Sequence, residues 1–262
     1  MLVSSKELFK AARKDNYAIP APNFVDQGSI KAYIEVAEKL DLPVILAYAE
    51  AHKEFLSFDE AVYLGKYYAE KARVPAVLHL DHGTTKELII RAIDEGFKSV
   101  MIDASMDSFE DNVKRTREIV EYAHLRGVVV EAEIGHVGGG EDYNSSHNSG
   151  GIYTTVEEAE KFVELTEVDS LAISIGTAHG AYKGKPVIDF NRLKEIRNAI
   201  DTPLVLHGGS STGDDNLGRC AAEGISKINI YTDLVTAAFT KAKGTKFNDY
   251  YELRNAQAQG MK

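Results

Sequence analysis

The chain alternates short apolar runs with longer segments of amphipathic pattern. The apolar runs are rich in Val and Ile, as expected for strands that are buried on both faces of a parallel sheet. We predict eight strands, at residues 18–24, 43–49, 75–81, 99–103, 128–134, 170–175, 203–207 and 227–231. Helical periodicity lies between them, at residues 29–40, 58–73, 85–95, 108–126, 156–167, 190–200 and 213–223. This alternation predicts right-handed βαβ units, and eight of them favour an α/β fold of the closed (β/α)8 type, the TIM barrel, over an open sheet.

The length of the chain suits one such barrel. Its 262 residues are close to the roughly 250 residues typical of the fold, and no stretch indicates a domain boundary. Hydrophobic residues make up 44% and charged residues 27% of the chain, so it can bury a core and is not disordered. We therefore expect a single catalytic domain over residues 1–262.

Composition and charge limit the cellular compartments and the kinds of binding partner that we expect. The N-terminus has no signal-peptide pattern, and no later stretch approaches the roughly 20 apolar residues of a membrane span. The single cysteine, Cys220, cannot form an internal disulfide, which agrees with a reducing compartment. The formal net charge of -10 argues against attraction to nucleic acid or an anionic membrane. We expect a cytoplasmic protein, and an anionic substrate would need local N–H groups and a few Lys or Arg side chains.

The longest irregular stretch, residues 135–153, follows the fifth predicted strand and is rich in Gly, Asn and Ser. A loop of this length is either a lid over a site or a surface insertion. Its position on the carboxyl side of a strand favours the lid, because barrel enzymes place their chemistry at that end.

Polar side chains recur where the predicted strands end. In a barrel, catalytic groups come from the carboxyl ends of several strands, which share one rim. The polar residues at these positions are His79, Asp81, His82, Asp103, Glu131, Glu133, His179, His207, Asn229, Thr232 and Asp233. Any one of them alone is weak evidence, so it is the shared rim that indicates a site.

Three histidines, His82, His179 and His207, follow three different strands. Three imidazoles around one ion with an open fourth position describe a catalytic zinc site, and a hydrogen-bonded histidine cluster without metal is the alternative. Neighbouring side chains of an extended chain point in opposite directions. His82 can therefore bind metal while Asp81 faces the substrate.

A glycine-rich turn, HGGSSTG at residues 207–213, follows the seventh predicted strand and precedes a helical pattern. Such a turn can present several N–H groups to a phosphate, and the loops after strands seven and eight are the usual phosphate site of a barrel. A flexible glycine turn without a ligand is the alternative. A phosphate site beside a metal predicts a phosphorylated substrate whose carbonyl reaches the ion.

Five motifs together resemble one known family. They are HLDH at residues 79–82, EAEIG at 131–135, GTAHG at 176–180, HGGS at 207–210 and NIYT at 229–232. In this order they are similar to those of the class II, zinc-dependent fructose- and tagatose-bisphosphate aldolases, and the resemblance covers essentially the whole chain. It implies reversible aldol cleavage of fructose 1,6-bisphosphate to dihydroxyacetone phosphate and glyceraldehyde 3-phosphate.

The resemblance also implies roles for particular residues. His82, His179 and His207 would bind Zn2+, and Glu133 would be an alternative ligand. Asp81 would be the acid–base residue at the C4 hydroxyl, and Glu141, in the long loop, would exchange a proton at C3 of dihydroxyacetone phosphate. The groups that hold the phosphate of this triose, assisted by a monovalent cation (Na+ or K+), would be Gly180, Gly208, Gly209, Ser210, Asn229 and Thr232. Arg254 would reach the site of a neighbouring subunit in a homodimer or homotetramer and meet the second phosphate.

Two departures from the family pattern concern the aldehyde end of the substrate. Fructose-specific members have a serine near the end of the second strand that meets the second phosphate, whereas Ala49 stands here. The third residue of the strand-eight motif is often Ala or Asp, whereas here it is Tyr231. Tagatose 1,6-bisphosphate or another ketose phosphate is therefore an alternative substrate. Family members usually continue for about another helix beyond the position of Lys262, so we expect part of the C-terminal helical extension to be missing.

Two other functional classes fit the sequence less well. Metal-dependent barrel hydrolases usually draw a His-x-His pair from the first strand, and the first predicted strand has no histidine. A non-catalytic sugar-phosphate-binding barrel is the remaining alternative, since fold does not imply function. Asp81 and Glu141 count against it, and aldol cleavage in the presence of zinc would exclude it.

Overall fold

The computed structural model describes residues 1–137, 153–180, 182 and 186–262. Its centre is one sheet of eight parallel strands in the order β1-β8-β7-β6-β5-β4-β3-β2. The strands are Ile19–Pro22 (β1), Val44–Ala49 (β2), Ala76–Gly83 (β3), Ser99–Ile102 (β4), Val129–Ile134 (β5), Ser170–Ile173 (β6), Leu204–Leu206 (β7) and Ile225–Ile230 (β8). A parallel bridge between Asn23 and Ala47 brings the two ends of the sheet together. The predicted (β/α)8 barrel and its eight strands are therefore confirmed.

Helices alternate with the strands. Those in the described part of the chain are Lys6–Asp15 (α1), Gln27–Leu40 (α2), Phe58–Lys71 (α3), Lys86–Asp94 (α4), Phe109–His124 (α5), Val156–Thr166 (α6), Phe190–Ala199 (α7), Asp214–Ala222 (α8), Thr232–Lys243 (α9) and Tyr250–Met261 (α10). A short 3-10 helix, Glu50–His52, follows β2. Each of α2 to α8 corresponds to a predicted amphipathic segment. No helix in the described ranges is long and apolar enough to cross a bilayer.

Side-chain caps explain why several helices begin where they do. Ser57 accepts a hydrogen bond from the backbone of Glu60, whose carboxylate accepts one from the Ser57 N–H. Thr155 and Glu158 repeat this reciprocal pattern at α6. Each pair satisfies backbone N–H groups that the first turn of a helix leaves without a partner.

Helices α1, α9 and α10 are not among the predicted amphipathic segments. Helices α9 and α10 bury only Ala238 and Ala256, respectively, so neither carries a wide apolar stripe that would reveal it. They pack on each other, and a Cβ at Gly260 would lie 2.6 Å from the carbonyl oxygen of Ala237. The small residue Gly260 therefore allows the backbones of the two helices to approach closely.

Helix α1 closes the end of the barrel that lies away from the candidate site. Its residues Phe9 and Ala12 are buried against side chains near the amino ends of the strands, namely Ile19, Ala21, Ile45, Val77 and Val129. The larger core lies between the outer faces of the strands and the helices. With one end of the barrel sealed by apolar packing, the polar residues lie deeper in the barrel and at its other end.

Candidate active site

A cavity of about 370 Å3 opens where the strands end, which is enough room for a small metabolite. It is lined by most of the residues that the sequence singled out, namely Asp81, His82, Glu133, His179, Gly180, Gly208, Gly209, Ser210, Asn229 and Thr232. His207 is fully buried and contacts His82 in the wall of the cavity. Glu141 lies outside the described residues.

The three histidines converge on one point. One ring nitrogen from each of His82, His179 and His207 lies within 4.8 Å of the others. Nδ1 of His207 is 3.0 Å from Nε2 of His82, and Nε2 of His179 is buried with no hydrogen-bond partner among the described residues. A buried nitrogen without a partner is costly unless something else satisfies it. The donor set and this nitrogen together fit a metal of the zinc type.

Backbone geometry separates His82 from Asp81. His82 has a positive φ of 50°, which is uncommon for a residue with a side chain and is frequent at functional sites. The register between β3 and β4 also shifts between Leu80 and Gly83. This local irregularity lets two consecutive polar side chains serve different purposes.

The second nitrogen of each ring meets an acceptor. Nδ1 of His82 is 2.7 Å from a carboxylate oxygen of Asp103, and Nδ1 of His179 is 3.0 Å from the carbonyl oxygen of Val137. Nε2 of His207 is 2.9 Å from a carboxylate oxygen of Glu131. An acceptor on one nitrogen places the proton there and leaves the other nitrogen as a ligand. The tautomers are thus set so that Nε2 of His82, Nε2 of His179 and Nδ1 of His207 face the shared point.

Glu133 offers a further oxygen to the same place. Its Oε1 accepts a hydrogen bond from the Val137 N–H at 3.1 Å, and its Oε2 is buried without a partner in the described part of the chain. Together with His82 and Asp103 it forms a second group whose candidate ligand atoms lie within 4.8 Å of one another. Burial raises the pKa of this carboxyl group. The position of Glu133 therefore suits an alternative metal ligand.

Below the cavity lies a fully buried ionic cluster. Nζ of Lys227 is 2.7 Å from Oε2 of Glu131 and 3.1 Å from Nε2 of His79. Burial alone would raise the pKa of Glu131, but the charge of Lys227 and the hydrogen bond from His207 lower it to about 2. Burial and the same lysine charge lower the pKa of His79 to about 3. Glu131 and His79 thus support the floor of the site instead of standing at its rim.

Asp81 is held between two amides. Nδ2 of Asn23 donates to Oδ2 at 2.8 Å, and Nδ2 of Asn229 donates to Oδ1 at 2.9 Å. Burial would raise the pKa of Asp81, but attraction to His82, when its imidazole is protonated in the metal-free site, and to Lys227 keeps it far below its ordinary value. The carboxylate is therefore ionised and oriented. Asn23 directly follows β1 and is not among the site residues predicted from the sequence.

The turn after β7 approaches neighbouring backbone closely. A Cβ at Gly208 would lie 2.4 Å from the carbonyl oxygen of Ala178, and one at Gly209 would lie 2.6 Å from that of Asn229. Gly208 also has a positive φ of 69°. Only glycine fits at both positions. The hydroxyl of Ser210 accepts hydrogen bonds from the Tyr231 and Asp233 N–H groups, which joins this turn to the start of α9.

Arg254 lies away from the cavity of its own chain. Its Nη1 is 3.5 Å from a carboxylate oxygen of Asp26, and its guanidinium packs against Gly28. Three polar cavity residues were not singled out as ligands by the sequence, namely Asn23, His52 and His136. The sequence signal for each is weak, because each is a single polar residue within a few positions of the end of a strand.

Comparison with known proteins agrees with this geometry. The sequence model of the family described as fructose-bisphosphate aldolase class-II matches residues 3–262. The YdjI aldolase from Escherichia coli K12 is 33% identical with a TM-score of 0.90, over 100% of this chain and 93% of that one. A Coccidioides immitis protein provisionally named a fructose-1,6-bisphosphate aldolase is 32% identical with a TM-score of 0.85, over 97% and 91% of the two chains. Fructose-bisphosphate aldolase from Campylobacter jejuni is 23% identical with a TM-score of 0.81, over 99% and 92%, and shares the fold.

Proposed function

Because the chain belongs to the class II fructose-bisphosphate aldolase family, we propose that this aldehyde-lyase catalyses reversible, zinc-dependent aldol cleavage of a ketose 1-phosphate. One product is dihydroxyacetone phosphate, and the other is an aldehyde. Fructose 1,6-bisphosphate, which would give glyceraldehyde 3-phosphate, is the first candidate substrate. The second candidate substrate is its C4 epimer, tagatose 1,6-bisphosphate, or another ketose phosphate. This alternative is retained because Ala49 and Tyr231, which depart from the family pattern, lie in the cavity wall.

The observation that carries the proposal is the convergence of three imidazole nitrogens beside an oriented carboxylate in one cavity. His82, His179 and His207 would hold the zinc ion, with Glu133 as the alternative ligand. A bound zinc ion would supply a Lewis acid that stabilises the negative charge developing on the substrate carbonyl oxygen. The lone buried nitrogen of His179 and the lone oxygen of Glu133 support this assignment, because a cation would satisfy both.

Asp81 would act as the base in the cleavage direction. It accepts the proton of the C4 hydroxyl while the C3–C4 bond breaks, so that C4 becomes the aldehyde carbon and the bonding electrons remain with C3. The amides of Asn23 and Asn229 keep both carboxylate oxygens oriented. Glu141, in the long loop, is proposed to return a proton to C3.

The phosphate of the triose would lie against the turn after β7. Gly208, Gly209 and Ser210 line the cavity next to the first residue of α9, Thr232. Backbone N–H groups and a helix N-terminus favour an anion at such a place. Gly180, Asn229 and a monovalent cation complete the proposed set. With a bisphosphate substrate, Arg254 of a neighbouring subunit in a cytoplasmic homodimer or homotetramer would meet the second phosphate.

A single assay tests this function. Release of dihydroxyacetone phosphate is measured with zinc-loaded protein and fructose or tagatose 1,6-bisphosphate, then after chelation, and again after zinc is returned. The proposal expects cleavage that is lost on chelation and restored by zinc. Full activity in protein shown to contain no metal would contradict it, and detectable cleavage would exclude a non-catalytic sugar-phosphate-binding barrel.

A further inference from the structure

Two aromatic rings meet in the wall of the cavity. The rings of His52 and Tyr231 have centroids 4.3 Å apart and planes inclined by 35°. His52 ends the 3-10 helix after β2, and Tyr231 directly precedes α9, after β8. Since β1 is the strand between β2 and β8 around the barrel, the rings meet above the end of β1.

This ring pair lies on the side of the cavity where the proposed substrate continues beyond C4. Asn23 follows β1 and donates to Asp81, so the end of β1 is next to the proposed C4 base. The carboxylate of Asp81 is also close enough for its charge to oppose the lowering of the pKa of His52 that burial causes. The triose phosphate is assigned to the turn after β7 and to Asn229 and Thr232, which flank Tyr231 in sequence, whereas the ring of Tyr231 meets His52, after β2. Carbons beyond C4 would therefore run toward His52 and Tyr231.

Both rings are neutral and polar. Burial lowers the pKa of His52 and raises that of Tyr231, so neither is charged near neutral pH. Nδ1 of His52 is buried and has no hydrogen-bond partner in the described ranges. A neutral imidazole has one donor and one acceptor nitrogen, and a phenol can both donate and accept. Such a wall suits the hydroxyl groups of a sugar chain.

Charge in the cavity opposes a second phosphate. The charged side chains that line it are carboxylates, Asp81, Asp103 and Glu133, and no Lys or Arg is among the described lining residues. The cation next to His52 in sequence, Lys53, is 62% exposed and lies 3.9 Å from the carboxylate of Glu50. A phosphate dianion placed at the rings would lose water without gaining a positive partner among the described residues of its own chain, which is unfavourable, and Arg254 of a neighbouring subunit would have to supply that partner.

We propose that His52 and Tyr231 form the subsite for the part of the ketose beyond C4, and that this subsite selects an aldehyde ending in an uncharged hydroxylated chain over one ending in phosphate. The inference rests on the proposed function and refines its substrate to a ketose 1-phosphate with an unphosphorylated tail. His52 and Tyr231 are specificity residues in this account. Neither takes part in proton transfer.

The test uses the synthetic direction, with zinc-loaded full-length protein and dihydroxyacetone phosphate. The aldehyde is either D-glyceraldehyde or D-glyceraldehyde 3-phosphate, and kcat/KM is compared between the two. We expect a preference of about tenfold or more for D-glyceraldehyde. His52→Arg, which adds a guanidinium at the rings, should move this ratio about tenfold toward the phosphorylated aldehyde. The same change at an exposed histidine, His124→Arg, should leave the ratio unchanged.

A second variant keeps the inference testable if His52→Arg folds poorly. His52→Ala removes the neutral wall without adding charge, and should lower kcat/KM for D-glyceraldehyde more than for the phosphorylated aldehyde. A merely structural role would lower both values together and leave their ratio fixed. A wild-type preference for glyceraldehyde 3-phosphate, or a ratio that neither variant moves, would overturn the inference.

Exchange of deuterium into C3 of dihydroxyacetone phosphate, without any aldehyde, separates this inference from the proposed function. If exchange occurs but glyceraldehyde 3-phosphate is preferred, the subsite assignment is wrong and the aldolase assignment stands. If zinc-loaded protein shows neither exchange nor condensation, the proposed function fails and the subsite inference fails with it.

Discussion

Asn229 donates a hydrogen bond from Nδ2 to Oδ1 of Asp81 at 2.9 Å. The two residues come from β8 and β3, on different sides of the barrel, and both are buried. An amide that donates to a carboxylate stabilises the ionised form and fixes its direction. Asp81 is therefore ready to accept a proton as soon as substrate is bound.

Replacing Asp81 should separate turnover from zinc binding. Asp81→Ala is expected to lower kcat by about 10²–10⁴-fold, the usual contribution of a positioned base, while zinc content stays at the wild-type level. Dihydroxyacetone phosphate release and elemental analysis of the same sample check this. Asp15→Ala, an exposed carboxylate at the end of α1, is the matched control. Equal turnover in Asp81→Ala and wild type would refute the role.

The buried pair of Lys227 and Glu131 makes a prediction about stability. Lys227→Met would leave the Glu131 carboxylate, 2.7 Å from the lysine nitrogen, without its cation, and loss of one partner of a buried pair costs about 3–5 kcal/mol. The free energy of unfolding in urea, measured on zinc-free protein, should fall by that order. The double variant Lys227→Met/Glu131→Gln should be more stable than Lys227→Met, because no uncompensated charge remains. A single variant as stable as wild type would contradict this account of the barrel floor.

Cys220 gives a prediction about pH. Burial and the charge of Glu223 raise the pKa of its thiol to about 12, whereas the pKa of a cysteine thiol in the unfolded chain is about 8.5. A raised folded pKa means that the stabilisation is complete below the unfolded pKa and is lost as pH rises toward the folded pKa. Between pH 8 and pH 10, wild type should lose about 1–2 kcal/mol more unfolding free energy than Cys220→Ala. Identical losses in the two proteins would contradict the shift.

Most of the fold can be predicted from the sequence because the barrel strands are buried on both faces and read as continuous apolar runs. β2 and β5 are buried at every position. The convergence of the three histidines could be predicted because the carboxyl ends of all strands share one rim. Helices α9 and α10 could not be predicted in the same way, since their packing depends on small residues such as Gly260.

Contacts between distant residues explain what the sequence did not reveal in the site. Lys227 reads as a polar strand residue, and it is buried only because Glu131, 96 positions away, neutralises it across the barrel. Its burial cannot be inferred from the local pattern. Asn23 and His52 are likewise single polar residues whose roles depend on Asp81, in β3, and Tyr231, just after β8.

Zinc bound per chain in a histidine variant tests the central claim most directly. Wild type, His179→Ala and His136→Ala are loaded with zinc, dialysed together and analysed for metal. His136 is the control because its ring lies in the same cavity, 3.4 Å from the Ser105 hydroxyl, and outside the converging three. The account predicts about one zinc ion per chain in wild type and His136→Ala and a large loss in His179→Ala. Equal zinc content in all three proteins would contradict it.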